Sequence, residues 1–381
     1  MVTTIAIVTG SRSESGLLAP LIEELRGRGA WRVVVIATGD HAGPHDTREL
    51  ISAKLGFDVD VTLPCLVREP NQVDVGRSTG LAVTIFSEYF HSFRPDLLIV
   101  LGDRFETYGA SLAAYLSGIP IAHIHGGEKT VGSLDDSLRH SITKFAHFHF
   151  VAHRDYERRV IQLGEHPDSV HVVGGMGIDV IARTRLLEAR SLTDELQFDV
   201  SEPFVMISLH AESNSVTPER AAAVVVDALR PLPDVRVLAS LSGSDNGSDH
   251  VNDLVLGFAT HRTNCRVVPN MGSRNFLSAL RHAVSLVGNS SSGLLEAPAL
   301  GTVTFNVGDR QRGRVRAPSV VDVGYDSLLL STLIRESFVS RSKSAVPADQ
   351  TFGDGGACKR IADHLQALDF PLPTKREFND L

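Results

Sequence analysis

One stretch in the first half of the chain largely determines what it can fold into. Residues 95–101 (PDLLIVL) form a short apolar run that ends at a polar loop, as a buried parallel strand does. A helical pattern follows over residues 105–117, and residues 119–123 have the composition of a second strand. The stretch therefore predicts a β-α-β unit, the building block of parallel sheets.

The loops after these two predicted strands carry acidic and basic side chains. In open α/β sheets ligands bind at the carboxyl ends of the strands, so Asp103, His125, Glu128 and Asp135 are predicted to face one crevice. Clustered carboxyls beside a histidine can have pKa values pushed apart, which supplies an acid and a base. Asp135 and Arg139 also have the spacing of a helix start with an i,i+4 ion pair, and the two interpretations are compatible.

The alternation of strands and helices occurs twice along the chain. It pauses at the glycine-dense residues 174–177 (GGMG) and restarts at residue 204, and 381 residues are too many for one ordinary core. The sequence predicts an α/β fold of two Rossmann-like domains that face each other across a cleft. The predicted domains are residues 1–175 and 176–356, with a final helix within 357–381 that packs back on the first domain.

Composition disfavours several classes of protein. The chain is 43% hydrophobic and 22% charged, as globular proteins are, and its net charge of -8 argues against nucleic acid as a partner. The first apolar run, of about six residues, is far too short for a signal sequence or a membrane span. The three cysteines are far apart and odd in number, which predicts no disulfide framework and fits a cytoplasmic protein.

No metal or organic cofactor is predicted. The histidines between residues 123 and 153 are dense, but they form no HExxH pair and no zinc-like group with cysteine. Residues 10–16 (GSRSESG) join a strand to a helix without the GxGxxG spacing, which disfavours a nicotinamide cofactor. In this loop Ser11 and Glu14 have the spacing of a capping box. Arg12, beside the helix N-terminus, suits a phosphate.

A second loop has the composition of a diphosphate site. Residues 288–293 (GNSSSG) follow a predicted strand and are predicted to open a helix, so that backbone N–H groups and the hydroxyls of Ser290 and Ser291 are available to an anion. Glu296, one turn further, is placed either to accept hydrogen bonds from ribose hydroxyls or to complement the helix dipole. The loop therefore predicts a nucleotide site in the second domain.

Two other features are predicted near this loop. Arg310 begins a run of three arginines within residues 310–314, and in an acidic chain such a cluster favours a phosphate contact. His210 ends the predicted strand 204–209 at the edge that faces the cleft. A single histidine at a strand end is usually structural, so its position alone makes it a candidate.

Taken together, these residues resemble the UDP-N-acetylglucosamine 2-epimerase family. Within it they resemble the hydrolysing branch, which forms free N-acetylmannosamine or related sugars for sialic-acid-type biosynthesis. The motifs that carry the resemblance are GDRFE at 102–106, HIHGGE at 123–128, DDSLRH at 135–140, GNSSSG at 288–293 and GDRQ at 308–311. The resemblance implies a glycosyltransferase-B-like fold, which agrees with the two predicted domains, and a homodimer or homotetramer.

The resemblance also implies roles for individual residues. The catalytic centre would contain Asp103, Asp135 and Arg139, with His210 close to the diphosphate. The residues implied to hold UDP are Arg12, Ser290, Ser291, Glu296 and Arg310.

Two positions depart from the pattern of the family. Many members have a catalytic glutamate where this chain has His125, so that either His125 or Glu128 takes over that role. Ala211 stands where a proline usually follows the histidine.

The implied reaction is the loss of UDP from a UDP-2-acetamido sugar to give a glycal, followed by hydration to UDP and free N-acetylmannosamine or an analogue. Cations and backbone N–H groups on the diphosphate would help UDP to leave. Three alternatives remain: a non-hydrolysing epimerase that releases UDP-N-acetylmannosamine, a glycosyltransferase of the same fold, and a UDP-sugar sensor without turnover. The sequence does not choose between UDP-N-acetylglucosamine and a deoxy, diacetamido substrate.

Overall fold

The computed structural model describes residues 2–43, 46–67, 72–130, 134–212, 217–242, 247–341, 347–374 and 377–380, with the backbone alone at 12–13, 72–73 and 340–341. The chain divides into two compact units. Domain 1 is formed from segments within 1–128, 134–180 and 353–381, and domain 2 from segments within 129–133 and 181–352.

Domain 1 alternates strands and helices. Its elements in chain order are β1 (Thr4–Thr9), α1 (Arg12–Arg28), β2 (Arg32–Ala37), α2 (Arg48–Leu55), β3 (Val61–Thr62), α3 (Gln72–Ser92), β4 (Leu97–Leu101), α4 (Phe105–Leu116), β5 (Ile121–Ile124), α5 (Leu134–Phe145), β6 (Phe148–Val151), α6 (Arg154–Gln162), β7 (Val170–Val172) and α7 (Met176–Arg183). In the described part of this domain, seven parallel strands lie in the order β3-β2-β1-β4-β5-β6-β7.

The central strand β4 shows why this sequence forms a parallel sheet. All five of its residues are buried, and successive side chains point to opposite faces. Leu97, Ile99 and Leu101 pack with residues of α1, whereas Leu98 and Val100 pack with residues of α3 and α4. Burial of each such side chain is worth roughly 1.5–3 kcal/mol, so a strand covered on both faces is apolar throughout.

Helix α1 begins with the predicted capping box. The Ser11 side chain accepts a hydrogen bond from the Glu14 N–H at 3.4 Å, and the Glu14 carboxylate accepts one from the Ser11 N–H at 3.1 Å. The helix therefore starts at Arg12, within the segment 10–16 that was predicted to join the strand to the helix. The apolar pattern alone located its buried middle, and the cap decides where it begins.

Domain 2 repeats the alternation. Its elements are α8 (Ala189–Leu196), β8 (Val205–Ser208), α9 (Arg220–Leu229), β9 (Val237–Ser240), α10 (Ser248–Thr260), β10 (Cys265–Val268), α11 (Gly272–His282), β11 (Ser285–Gly288), α12 (Glu296–Ala299), β12 (Val303–Val307), β13 (Val320–Gly324) and α13 (Ser327–Arg341). Its described strands are parallel, in the order β10-β9-β8-β11-β12-β13. The predicted α/β fold with two Rossmann-like domains is confirmed.

The last helix, α14 (Ala357–Gln366), belongs to domain 1. Its buried face packs with residues of α1 and of the β1 and β4 strands in one apolar cluster. Both carboxylate oxygens of Asp179, in α7, accept hydrogen bonds from the first N–H groups of α14: Ala357 at 2.7 Å and Cys358 at 2.9 Å. Asp179 is only 1% exposed, so this cap is buried.

None of the described helices is both long enough and apolar enough to cross a lipid bilayer.

Candidate active site

In domain 1 the loops after β4 and β5 meet at the side chain of Arg139. This arginine lies in α5 and is 2% exposed. Its Nη2 donates to Asp103 Oδ2, and its Nη1 donates to the carbonyl oxygen of Glu128 at 3.0 Å and to Asp136 Oδ1 at 3.4 Å. A buried guanidinium requires such partners, because removing it from water is costly. Arg139 therefore fixes Asp103 and the backbone of Glu128 relative to each other.

Asp136 is a residue of this cluster that the sequence analysis did not single out. It contacts Arg139 three positions later and lies 3.6 Å from His140 Nε2, four positions later. Asp135, the predicted candidate, is half-buried on the same first turn of α5. The Asp-Asp pair at a helix start was the available signal, but side-chain direction decides which acid meets Arg139.

His125 has an unusual backbone conformation at the end of β5. Its φ is 65°, in the left-handed region that few non-glycine residues adopt. The Met176 N–H donates to Nε2 of His125 at 3.3 Å, so this ring nitrogen carries no proton. The proton is then on Nδ1, which lies 3.4 Å from Glu128 Oε1. Both side chains are largely buried, and the imidazole is thereby oriented toward the Glu128 carboxylate.

His123 supports the same edge of the sheet from within β5. Its Nε2 lies 2.8 Å from the carbonyl oxygen of Gly102, the residue before Asp103. Its Nδ1 lies 3.3 Å from Thr143 Oγ1. Burial lowers the pKa of His123 to about 3, so the ring is neutral near pH 7 and donates to Gly102. The histidine thus ties the loop after β4 to its neighbouring strand.

The first loop of domain 1 is filled by one of the chain's own carboxyl groups. Glu14 Oε2 accepts the N–H groups of Gly10 at 2.7 Å and Ser11 at 3.1 Å. These are the donors that a phosphate would use at the turn between β1 and α1. The side chain of Arg12, predicted to hold UDP, lies outside the described residues.

In domain 2 the loop after β11 is joined to the end of β8 by Asn289. Its Oδ1 accepts the His210 N–H at 2.7 Å, and its Nδ2 donates to the His210 carbonyl at 2.8 Å. Gly288, with a φ of 146°, lies so close to the Ser208 backbone that a Cβ would overlap the Ser208 carbonyl. Asn289 is fully buried, so the two loops are held as one unit.

The predicted helix after this loop is shorter than expected. Residues Ser291–Gly293 form a single 3-10 turn, capped by the Ser290 side chain, which accepts the Ser292 N–H at 3.3 Å. Helix α12 then has only four residues and begins at Glu296. Gly301, with a φ of 73°, follows the end of α12. Ser290 therefore caps, and Ser291 begins, a tight turn and not the first turn of a long helix.

The arginine-rich loop, residues 310–314, also contacts Asn289. Arg310 Nη1 and Gln311 Nε2 donate to the Asn289 carbonyl, at 3.1 Å and 2.9 Å. Gln311 is 1% exposed and also accepts from Arg314 Nη1 at 3.1 Å. Arg312, in contrast, is exposed. Asn289 is thus a shared partner for His210 on one side and Arg310 on the other, a role that the sequence analysis did not assign.

The structure therefore brings the predicted residues into two groups, one in each domain. Domain 1 groups Asp103, His125, Glu128 and Arg139 around the ends of β4 and β5. Domain 2 groups His210, Ser290 and Arg310 around Asn289. Their roles in binding and catalysis remain predictions.

Two parallel α/β domains, each with polar loops at the carboxyl ends of its strands, define a glycosyltransferase-B-like protein. The model of the UDP-N-acetylglucosamine 2-epimerase family matches residues 23–366. The chain belongs to this family, as its motifs predicted.

Individual relatives agree with this assignment. A Campylobacter jejuni protein named GDP/UDP-N,N'-diacetylbacillosamine 2-epimerase (hydrolyzing) is 30% identical over 320 residues, 84% of this chain and 83% of the relative. A Legionella pneumophila protein named UDP-N,N'-diacetylbacillosamine 2-epimerase (hydrolyzing) is 27% identical over 371 residues, 97% of each chain. The crystal structure of UDP-GlcNAc 2-epimerase from Neisseria meningitidis bound to UDP-GlcNAc has a TM-score of 0.79 and 20% identity, and the match covers 96% of this chain and 100% of that one.

Proposed function

We propose that this protein is a hydrolysing 2-epimerase of UDP-2-acetamido sugars. It converts a substrate such as UDP-N-acetylglucosamine, or a 2,4-diacetamido-trideoxy analogue, and water into UDP and the free C2 epimer. The observation that carries the proposal is the position of the Arg139 side chain, which holds Asp103 beside the Glu128 backbone. The acidic residues are thereby grouped at the carboxyl ends of the strands of domain 1, where α/β sheets bind ligands.

In the first step UDP leaves C1 of the sugar. The diphosphate gains negative charge, which is stabilised by preorganised donors and cations. In domain 2 these are the N–H groups of the Ser290–Ser291 turn, Arg310 and His210. Glu296 is assigned to the ribose hydroxyls, and Arg12 to the diphosphate. Asn289, bonded to the loops of both His210 and Arg310, supports their preorganisation.

The second requirement is removal and return of a proton at C2. We assign the base to the Glu128 carboxylate, because His125 Nε2 already accepts the Met176 N–H and His125 Nδ1 is directed to Glu128. His125 Nδ1 then faces the carboxylate and orients it. Of Asp103 and Asp135, one acts as the carboxylate that stabilises the positive charge developing on the sugar ring, and the other, as the carboxylic acid, protonates C2 on the other face. Water adds its hydroxyl to C1 and its proton restores that acid, while the proton held by Glu128 passes to solvent.

Two substrates are supported by different relatives. The Campylobacter and Legionella relatives are named for diacetylbacillosamine sugars, whereas the Neisseria structure contains UDP-GlcNAc. Both sugars carry an acetamido group on C2, the carbon that is epimerised. The substrate class is therefore a UDP-2-acetamido sugar, and the groups at C4 and C6 are to be decided by experiment.

The test is a proton NMR time course in heavy water with each UDP-sugar in turn. We expect UDP and a free 2-epimer that carries deuterium at C2. Production of the UDP-linked epimer would instead identify a non-hydrolysing epimerase. Turnover only in the presence of a second sugar would identify a glycosyltransferase, and binding of both UDP-sugars without turnover would identify a sensor. Each of these three outcomes would overturn the proposal.

A further inference from the structure

A second pair of acids lies in domain 1, outside the cluster around Arg139. Glu14 in α1 is 6% exposed and Glu106 in α4 is fully buried, at the neighbouring ends of β1 and β4. Both carboxyl groups lie against Gly10. The Gly10 N–H donates to Glu14 Oε2 at 2.7 Å, and a Cβ on Gly10 would lie 2.8 Å from the Glu106 carboxyl carbon. The chain thus places two carboxyl groups in one buried space.

The hydrogen bonds of this pair account for only two of its four oxygens. Glu14 Oε2 accepts two backbone N–H groups, and Glu106 Oε1 accepts from Arg104 Nε at 2.6 Å. The other two, Glu14 Oε1 and Glu106 Oε2, are buried and accept no hydrogen bond from the described residues. Two adjacent buried anions with unsatisfied oxygens are unfavourable. If Glu14 Oε1 carried a proton, it could donate a hydrogen bond to Glu106 Oε2, and both oxygens would then have a partner.

The charges around the pair fit a single negative charge. Arg104 is the cation beside it, and its Nη2 also contacts Asp40 Oδ2 at 3.2 Å. Two carboxylates, those of Glu106 and Asp40, therefore share one guanidinium already. Of the side chains that the structure describes, His41 and Cys65 are further titratable groups in this part of the domain, and both are buried. Among the described side chains, a third negative charge on Glu14 would have no cation of its own.

We propose that Glu14 is protonated at neutral pH and donates a hydrogen bond to the Glu106 carboxylate. This acid–carboxylate pair positions Arg104 next to the loop that carries Asp103. Arg104 directly follows Asp103 and is the N-cap of α4. Glu14 and Glu106 are thus positioning residues, and neither has to touch the substrate. The catalytic part of this inference depends on the proposed function, whereas the shared proton does not.

The pH dependence has a definite sign. Burial, together with the negative charge of Glu106, raises the pKa of Glu14 from 4.5 to about 8. The folded protein then holds this proton more tightly than the unfolded chain between these two values. Its contribution to stability is complete below pH 4.5 and is lost as the pH rises through 8.

The first experiment compares thermal unfolding of the wild type and Glu14→Gln between pH 6 and pH 10. Glutamine keeps an oxygen for the two N–H groups and supplies a permanent donor for Glu106. We expect the variant to lose less stability than the wild type as the pH rises from about 7 to 9. Glu23→Gln, an exposed change on the same helix, serves as the matched control and should follow the wild type.

The infrared band of a protonated carboxyl group gives a second reading. We expect it in the wild type at pH 7 and not in Glu14→Gln. A variant that fails to fold, or one that is destabilised at pH 7 with the wild-type pH slope, would overturn the shared proton. So would a wild type without this band. None of these measurements needs a substrate.

The catalytic part is tested by activity. We expect Glu106→Gln, which removes the charge that holds Arg104, to lower kcat about tenfold with KM nearly unchanged, because small misplacements of catalytic groups are costly. Glu14→Gln should move the alkaline limb of the kcat profile to higher pH. Wild-type kcat in Glu106→Gln, or an unmoved alkaline limb, would refute the positioning role. If no UDP-sugar is turned over by the wild type, the proposed function fails while the unfolding and infrared results still decide the shared proton.

Discussion

At the scale of single residues, His125 shows what the sequence could and could not predict. The HIHGGE motif placed His125 and Glu128 at the same edge, and left open which of them replaces the usual glutamate. The proposed assignment to Glu128 depends on Met176, 51 positions away, whose N–H donates to one ring nitrogen of His125. A left-handed φ at a non-glycine residue costs of order 1 kcal/mol or more, and it persists here at a candidate catalytic position.

The residue-scale prediction concerns Asp103. Asp103→Asn keeps the size of the side chain but removes its negative charge. That charge pairs with the buried Arg139 and, in the proposed function, acts on the developing positive charge of the sugar. We expect kcat to fall by about 100-fold or more, as for loss of a group acting in the transition state. UDP affinity, measured by calorimetry, should change less than about twofold, because Asp103 is assigned to the sugar and not to the nucleotide.

Asp168→Asn is the matched control, since the side chain of Asp168 is 92% exposed. It should leave both quantities at the wild-type values. Substantial activity in Asp103→Asn would remove Asp103 from the catalytic set.

At the scale of elements, the loop after β11 was predicted as an anion site, but its internal arrangement was not. The helix that was expected to open at Ser290 is a 3-10 turn followed by four residues of α12. The side chain that organises the loop is Asn289, whose partner His210 is 79 positions earlier. Local patterns predict strands and turns, whereas a hydrogen bond between two distant loops depends on the completed sheet.

The element-scale prediction follows from this bond. Asn289→Ala leaves the His210 N–H and carbonyl without their partner in a buried position. We expect it to lower the free energy of unfolding by about 1–3 kcal/mol and to weaken UDP binding, measured by calorimetry.

Asn264→Ala is the control, because Asn264 donates to two carbonyls at the amino end of the same sheet. It should lower stability without a change in UDP affinity. If Asn289→Ala bound UDP as tightly as Asn264→Ala and the wild type do, Asn289 would not organise the nucleotide site.

At the scale of the whole molecule, the order of strands and helices was largely predictable. The runs predicted as strands at 95–101, 119–123 and 204–209 correspond to β4, β5 and β8, with ends that differ by at most two residues. Two strands were missed: β3 has two residues, and β13 is an edge strand with an exposed Val321 and Asp322. Neither gives the continuous apolar run that identifies a buried parallel strand.

The whole-molecule prediction concerns the return of the chain to domain 1. Asp179→Ala removes both hydrogen bonds to the start of α14 and leaves these N–H groups buried. We expect a loss of about 1–3 kcal/mol in the free energy of unfolding and faster amide exchange across Ala357–Gln366.

Asp363→Asn, on the exposed face of the same helix, removes a surface ion pair with Arg28 and serves as the control. It should change stability by less than about 1 kcal/mol. Unchanged amide exchange in Asp179→Ala would show that the apolar face of α14 alone holds it in place.

The carboxyl group of Glu14 has a consequence for protein engineering. It takes up the Gly10 and Ser11 N–H groups, and the Glu106 side chain occupies the space beside Gly10. To build a dinucleotide site into domain 1, a designer would have to replace Glu14 and Glu106 to clear the space beside Gly10. The same design would have to supply a new anion for Arg104. The corresponding loop of domain 2, to which we assign the nucleotide, is organised by the Asn289 amide and by serines, and it is the better starting point for altering nucleotide specificity.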